Sequence, residues 1–131
     1  MERLTLAFQR ADMALRSLLE ALALKGRTDI ERDAAIQRFE FTFEAVWKAA
    51  RHFLMAREGL DAGSPKGVIR ACREVRILSL EEAEHALKMA DDRNLTAHTY
   101  DRALAQEIFA RLEDHAALMT VWLKRLTARM R

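Results

Sequence analysis

The sequence TDIERDAAIQRFEFTFEAVWKAARHFLMARE, residues 28–58, decides the fold class. Its centre, residues 39–43, alternates phenylalanine with polar residues in the way that a half-buried strand does. Over the longer window, however, apolar residues recur every three or four positions: Ile36, Phe39, Phe43, Val46, Ala50 and Phe53. Thr28 followed by Glu31 is a capping-box pattern for the start of a helix. We therefore predict a single helix from Thr28 to about Glu58, and no strand.

One aromatic side chain of this helix faces away from the predicted core. Phe41 lies about 200° around the helix from Phe39, so the two rings point in opposite directions. The stripe that contains Phe41 is otherwise polar and consists of Gln37, Glu40, Glu44 and Lys48. A solvated polar face with one exposed aromatic would explain this pattern. We favour a second buried contact, made with another subunit or around a site.

Turn residues divide the rest of the chain into three more long helices and a short one. Apolar steps of four and three residues predict a first helix from Glu2 to Lys25. Gly26 ends that helix, because glycine adopts a positive φ at little cost. Ser64-Pro65 starts the short helix, with serine as the cap and proline in the first position.

Two further caps complete the predicted architecture. Ser79, with Glu82 as its reciprocal partner, begins a helix that reaches about Asp92-Arg93. Asp101 caps the last helix, whose apolar residues recur at helical spacing: Leu104, Ile108, Leu112, Met119, Trp122, Leu126 and Met130. We predict an all-α fold, an antiparallel up-and-down four-helix bundle with one short extra helix, forming a single domain over residues 1–131.

Composition restricts the function classes. The formal net charge of +2 is too small for a polyanion-binding surface over the whole molecule, so contact with nucleic acid requires a local patch. A basic tail consists of Lys124, Arg125, Arg129 and Arg131. The usual role of such residues is to offset the dipole at a helix C-terminus, and RNA contact is the alternative.

Cysteine usage indicates a reducing compartment, and the hydropathy of the chain predicts no membrane span. Cys72 is the only cysteine, so an internal disulfide is excluded, and we interpret it as a packed small residue. The first residues do not have the profile of a signal peptide. The uncharged run from Ala116 to Leu123 falls far short of the ~20 residues of a membrane span. We expect a cytoplasmic protein without membrane contact.

The stretch Arg93-Asn94-Leu95-Thr96-Ala97-His98-Thr99-Tyr100 has the side chains for phosphodiester chemistry. A guanidinium can bind a phosphate with two parallel hydrogen bonds, and an imidazole transfers protons near neutral pH. In a straight helix Arg93 and His98 would lie about 140° apart. Either the helix ends near Asn94 and the next residues turn His98 back, or two copies of the chain pool their residues. Asn94 and His98 would share a helix face and could orient each other.

Other chemistries have weaker support. The four histidines, His52, His85, His98 and His115, show no HxxxH spacing and there is no cysteine cluster, so we expect no metal and no other cofactor. Glu82-x-x-His85 matches half of a di-iron bundle motif, but a capping Glu82 beside a surface His85 explains it. Phosphate-binding glycine loops and a serine nucleophile with a paired base are absent. Trp47 and Trp122 lie at core spacing.

Four blocks of the sequence together resemble the HEPN superfamily. In order they are Ile36–Glu44, Trp47-Lys48, Ser64-Pro65 and Arg93-Asn94…His98-x-Tyr100-Asp101. The resemblance covers about residues 1–112. It is to the branch of nucleotidyltransferase substrate-binding proteins, whose members include the HepT toxins. It implies an all-helical bundle that forms a homodimer and is encoded beside a minimal nucleotidyltransferase.

The same resemblance implies roles for individual residues. Arg93 and His98 would form the motif of a metal-independent ribonuclease that acts on RNA, with Asn94 in support. Tyr100 would receive AMP from the partner nucleotidyltransferase, which silences the toxin. The site would be bordered by the polar helix face of Glu40, Glu44 and Lys48.

Two features depart from the family pattern, and a second function stays open. Residues 84–92 lack the aromatic expected before Arg93, and the helix continues past Leu112 for longer than expected, which could alter dimer packing or partner docking. The alternative function is a non-catalytic subunit that binds a nucleotide or presents Tyr100 to the nucleotidyltransferase.

Overall fold

The computed structural model describes residues 2–131, and their regular structure is helical. The five α-helices are α1 (Glu2–Ala23), α2 (Asp29–Phe53), α3 (Pro65–Glu74), α4 (Leu80–Leu95) and α5 (Arg102–Arg129). A π-helical turn, Leu54–Glu58, extends α2, and a 3-10 turn, Thr96–His98, extends α4. The predicted all-α bundle of four long helices and a short one is confirmed.

The helix starts lie where the capping residues predict them. The Thr28 hydroxyl accepts a hydrogen bond from the backbone N–H of Glu31, and that of Ser64 accepts one from Gly67. Ser79 and Glu82 form both hydrogen bonds of a capping box. The Asp101 carboxylate accepts from the N–H of Leu104. Each cap acts within three residues, so it depends little on the tertiary structure.

Two helix ends differ from the prediction, and the second helix reaches its predicted end at Glu58 with a change of winding. The first helix ends at Ala23 rather than Lys25, because Lys25 (φ 66°) as well as Gly26 (φ 61°) is left-handed. The second helix widens into the π-helical turn Leu54–Glu58 before it ends at Gly59. The predicted end of α4 at Asp92-Arg93 is wrong: the α-helix continues to Leu95, and its last residues are already in the stretch proposed for the site.

The core lies between α1, α2 and α5, with α3 and α4 packed at one side. The rings of α2 at Phe39, Phe43 and Phe53 are fully buried, so the helical interpretation of the phenylalanine-rich segment is confirmed. Trp47 and Trp122 are buried as predicted. Phe41, by contrast, is 54% exposed within the single chain, so any partner of this ring lies outside it.

Part of the basic tail is engaged within the chain. Arg125 donates to the backbone carbonyl of Ile77 and to the Glu82 carboxylate. Arg129 donates to the carbonyls of Val75 and Arg76, just beyond α3. These two arginines thus hold the end of α5 against the α3–α4 connection.

Among residues 2–131, no helix has a stretch both long and apolar enough to span a bilayer.

Gly26 is predicted to be the glycine most sensitive to substitution. Its φ is +61°, and an added Cβ would lie 2.4 Å from the Phe109 ring. We expect Gly26→Ala to lower the free energy of unfolding by about 2 kcal/mol or more, from backbone strain and overpacking together. Urea denaturation measures this change.

Gly63→Ala is the matched control, because an added Cβ there meets nothing within 4 Å and φ is not left-handed. Its unfolding free energy should stay within about 0.5 kcal/mol of wild type. Equal effects at Gly26 and Gly63 would contradict the packing explanation.

Candidate functional site

Arg93 lies between two carboxylates of α2. Its Nε donates to Oε1 of Glu44 at 3.0 Å, and its Nη2 lies 3.4 Å from Oε1 of Glu40. Glu40 and Glu44 are one turn apart, so both face α4 from the same side of α2. The Arg93 side chain is 26% exposed, and no hydrogen bond to residues 2–131 uses its Nη1. The guanidinium is therefore oriented and still has donors for a ligand.

Two neighbours fix the Glu44 carboxylate. The indole N–H of Trp47 donates to its Oε2 at 3.1 Å, and the Lys48 ammonium lies 3.9 Å from the same oxygen. Lys48 is 59% exposed, so it remains close to solvent. Glu40, Glu44 and Lys48 thus share the helix face that their spacing indicates, beside Arg93, whereas the contribution of Trp47 was not anticipated.

The 3-10 turn after α4 places His98 and Tyr100 at the surface. The Thr96 hydroxyl donates to the carbonyl of Arg93 at 2.7 Å and lies 3.3 Å from Oε2 of Glu40, which ties the turn to α2. The backbone N–H of Asp101 donates to the carbonyl of His98 and closes the turn before α5. His98 is exposed, and Tyr100 is 86% exposed.

His98 and Tyr100 contact each other rather than Arg93. The Tyr100 hydroxyl lies 3.5 Å from Nδ1 of His98, and the two rings pack edge to face with centroids 6.0 Å apart. No hydrogen bond within residues 2–131 joins His98 to Arg93, nor to Asn94, which is exposed. One chain therefore provides two halves that no direct hydrogen bond joins within residues 2–131, an arginine–carboxylate cluster and a histidine–tyrosine pair.

A second polar cluster lies on the other side of α4 and is mostly buried. Arg111 of α5 donates to both oxygens of the Asp92 carboxylate, each at 2.8 Å. The Nε2 of His115 lies 2.7 Å from the same carboxylate, and its Nδ1 lies 2.9 Å from Nε2 of His85. The His115 ring also stacks on Phe39 at 5.4 Å between centroids. The interpretation of His85 as a surface residue is wrong, because it is half-buried and bonded to His115.

The hydrogen bonds determine the proton positions in this cluster. An ionised Asp92 can only accept, so Nε2 of His115 carries a proton and its Nδ1 accepts from His85. Burial lowers the pKa of His115 and outweighs the opposing effect of Asp92, so the ring is neutral near pH 7. Burial alone would raise the pKa of Asp92, but the hydrogen bonds from Arg111 and His115 hold it below its ordinary value. The cluster therefore contains an ionised carboxylate at Asp92, a guanidinium at Arg111 and a neutral imidazole at His115.

The sequence analysis did not predict this cluster, although the position of His115 in the sequence indicates a buried histidine. His115 lies three residues after Leu112 and four before Met119, in register with the apolar stripe of α5. A histidine at a buried helix position needs a polar partner. The identity of that partner, Asp92, depends on how α4 packs on α5, which periodicity does not specify.

Neither the Cys72 thiol nor a group of metal ligands forms an alternative reactive centre within residues 2–131. The Cys72 thiol is buried, and burial raises its pKa to about 11, so it is a packing residue as predicted. Within residues 2–131, no three His, Cys, Asp or Glu side chains are grouped in a way that could hold a metal ion.

Comparison with known families assigns the chain. The family model described as "Nucleotidyltransferase substrate binding protein like" matches residues 6–128. The chain belongs to this family. The predicted resemblance to the nucleotidyltransferase substrate-binding proteins is thereby confirmed. No curated protein is similar enough in sequence to count as a match.

Solved structures share the fold over nearly the whole chain. A Thermus thermophilus protein is 56% identical, with a TM-score of 0.86 over 88% of this chain and 98% of that one. A Haemophilus influenzae protein, described as showing the fold of a substrate-binding domain of a nucleotidyltransferase, is 23% identical (TM-score 0.79; 92% and 98% covered). A tri-AMPylated Shewanella oneidensis HEPN toxin in complex with an MNT antitoxin is 12% identical (TM-score 0.77; 95% and 96% covered). At 23% and 12% identity, the last two structures show only that the fold is shared.

The buried His115 predicts a specific dependence of stability on pH. Its pKa is lowered in the folded chain, so below the usual histidine value of about 6.5 the unfolded chain binds more protons. Stability from this group is complete above about pH 6.5 and is lost as the pH falls further. His115→Gln keeps an N–H for Asp92 and should flatten the decrease in urea midpoint between about pH 7.5 and 5.5.

His52→Gln is the control for this measurement, because His52 lies outside the cluster and should keep the wild-type slope. An unchanged slope in His115→Gln would show that other groups cause the acid sensitivity. The Asp92 carboxylate does not interfere, since its lowered pKa places its own loss at much lower pH.

Proposed function

We propose that this chain is a HEPN-type, metal-independent endoribonuclease toxin that acts as a homodimer. The observation that supports it best is the oriented guanidinium of Arg93, with free Nη1 donors, beside a turn that exposes His98 five residues later. RNA supplies its own nucleophile, the 2′-hydroxyl, so cleavage needs a base, an acid and a cation for the phosphate. These are the groups that the two halves of the site contain.

Two copies of the site are needed to complete the reaction. A base removes the proton of the 2′-hydroxyl, which attacks phosphorus, and an acid protonates the departing 5′-oxygen. His98 of one protomer would be the base and the partner's His98 the acid, while Arg93 stabilises the negative charge on the phosphate oxygens. The lack of a hydrogen bond between Arg93 and His98 within residues 2–131, and the exposed Phe41 on the same face of α2 as Glu44, both favour a dimer interface here.

The first test is cleavage of single-stranded RNA in EDTA by unmodified protein. We expect wild type to cleave, and His98→Ala to lower the rate at least about a hundredfold, because proton transfer is lost. The thermal unfolding of His98→Ala should be unchanged, since the ring is exposed and hydrogen-bonds only to Tyr100. His52→Ala is the matched control and should retain wild-type cleavage. Intact RNA after incubation with AMP-free wild type would refute the nuclease.

A second candidate is a non-catalytic subunit that presents Tyr100 to a nucleotidyltransferase. It is favoured by the exposure of Tyr100, at 86%, and by the two carboxylates that already bind Arg93. The same residue suits control of the toxin: an AMP on Tyr100 would add bulk and negative charge beside His98 and repel RNA. AMP transfer onto Tyr100 is therefore expected under both candidates, and RNA cleavage only under the first.

Mass spectrometry tests the modification. After incubation with a minimal nucleotidyltransferase partner and ATP, wild type should gain the mass of at least one AMP. Tyr100→Phe lacks the hydroxyl at this site and should gain none there, as peptide mapping would show. A wild-type mass that does not change would remove Tyr100 as the acceptor.

A further inference from the structure

Asp92 and Arg93 are neighbours in the last turn of α4 but bind different helices. Successive residues of a helix point about 100° apart. Asp92 accordingly faces α5, where Arg111 and His115 bind it, and Arg93 faces α2, where Glu40 and Glu44 bind it. The orientation of Arg93 around the helix axis is thus tied to that of Asp92.

The Asp92 carboxylate and the His115 ring are each held by more than one contact. The carboxylate side chain is 9% exposed and receives two hydrogen bonds from Arg111 and one from His115. The His115 ring is fixed in turn by His85 on its other nitrogen and by Phe39 on its face. A buried carboxylate with three donors cannot shift without leaving some of them unpaired.

The apolar residues of α4, among them the buried Ala86 and Met89, pack most closely on α3. In contrast to α1 and α2, which lie in close contact along their lengths, α4 has few close contacts with either α2 or α5. The two polar clusters therefore add hydrogen bonds from α4 to two helices on which it packs less closely. They also share a second link, because Phe39, which stacks on His115, precedes Glu40, which binds Arg93.

We propose that Asp92, held by Arg111 and His115, is a positioning residue that sets the direction of the Arg93 guanidinium toward a bound phosphodiester. This inference rests on the proposed function, in which Arg93 contacts RNA. Asp92 itself faces away from that contact and acts only through its neighbour.

A double-mutant cycle tests the proposal. The probe is a fluorescent RNA with a 2′-deoxy substitution at the cleavage site, so that binding is measured without turnover. Asp92→Asn keeps the shape of the side chain and should weaken binding by about tenfold. In the Arg93→Ala background the same substitution should have less than a twofold effect, because the group it positions is gone. Equal effects in both backgrounds would overturn the proposal.

Asp91→Asn is the matched control. Asp91 is the preceding carboxylate, exposed and paired with Lys66, so its loss should change binding less than about twofold. If Asp92→Asn does not fold, Arg111→Gln replaces it, since that variant keeps the bond between Asp92 and His115 and should show the same dependence on Arg93.

A spectroscopic measurement separates this inference from the proposed function. In the free protein, the Nε–H resonance of Arg93 should shift and broaden in Asp92→Asn and remain in place in Asp91→Asn. An unchanged resonance in Asp92→Asn would overturn the positioning role whether or not RNA is cleaved. If the resonance shifts in Asp92→Asn but the wild-type protein binds no RNA, the nuclease is refuted instead. The phosphodiester is then refuted as the target of Arg93.

Discussion

Two adjacent and opposite charges at the end of α4, Asp92 and Arg93, join this helix to α5 and to α2 by hydrogen bonds and ion pairs. One binds α5 through a buried carboxylate, and the other binds α2 through a partly exposed guanidinium. The 3-10 turn that follows is tied to the same place by Thr96, whose hydroxyl donates to the carbonyl of Arg93. The exposed positions of His98 and Tyr100 depend on where this turn begins. A rotation of the helix by about 100° would turn the Asp92 carboxylate toward α2, where the proposed site requires a cation, and would turn Arg93 away from Glu40 and Glu44.

The parts of the fold that sequence predicts well are those governed by local interactions. Four capping residues begin helices because the side-chain oxygen of each accepts from the backbone N–H group three residues ahead: Thr28, Ser64, Ser79 and Asp101. Helix ends were less predictable, since they are decided by competition between local conformation and packing. The continuation of α4 to Leu95 illustrates this, because no capping residue marks that end, whereas the left-handed Gly59 marks the end of the second helix.

The candidate site was predictable to the extent that its residues share one helix face. Glu40, Glu44 and Lys48 follow from helical spacing alone, and the structure brings the two carboxylates to Arg93. The cluster around Asp92 was not predictable in the same way. Its carboxylate and His115 lie on different helices, and their meeting depends on the crossing of α4 and α5, which no pattern within either helix encodes. A histidine on an apolar stripe indicates only that some polar partner exists.

The charge around Arg93 has different consequences for the two candidate functions. The carboxylates of Glu40 and Glu44, with Arg93 and Lys48, make a cluster without net charge, so a single chain attracts a phosphodiester weakly. The carboxylates nevertheless hold the guanidinium in one direction, and a preoriented donor needs little reorganisation when charge develops on the phosphate. In a dimer, a second Arg93 facing the same phosphodiester would supply the missing attraction, provided that its own carboxylates lie further away. A nuclease that uses Arg93 in this way depends on a second subunit for that attraction, whereas a subunit that only presents its exposed Tyr100 needs no second copy.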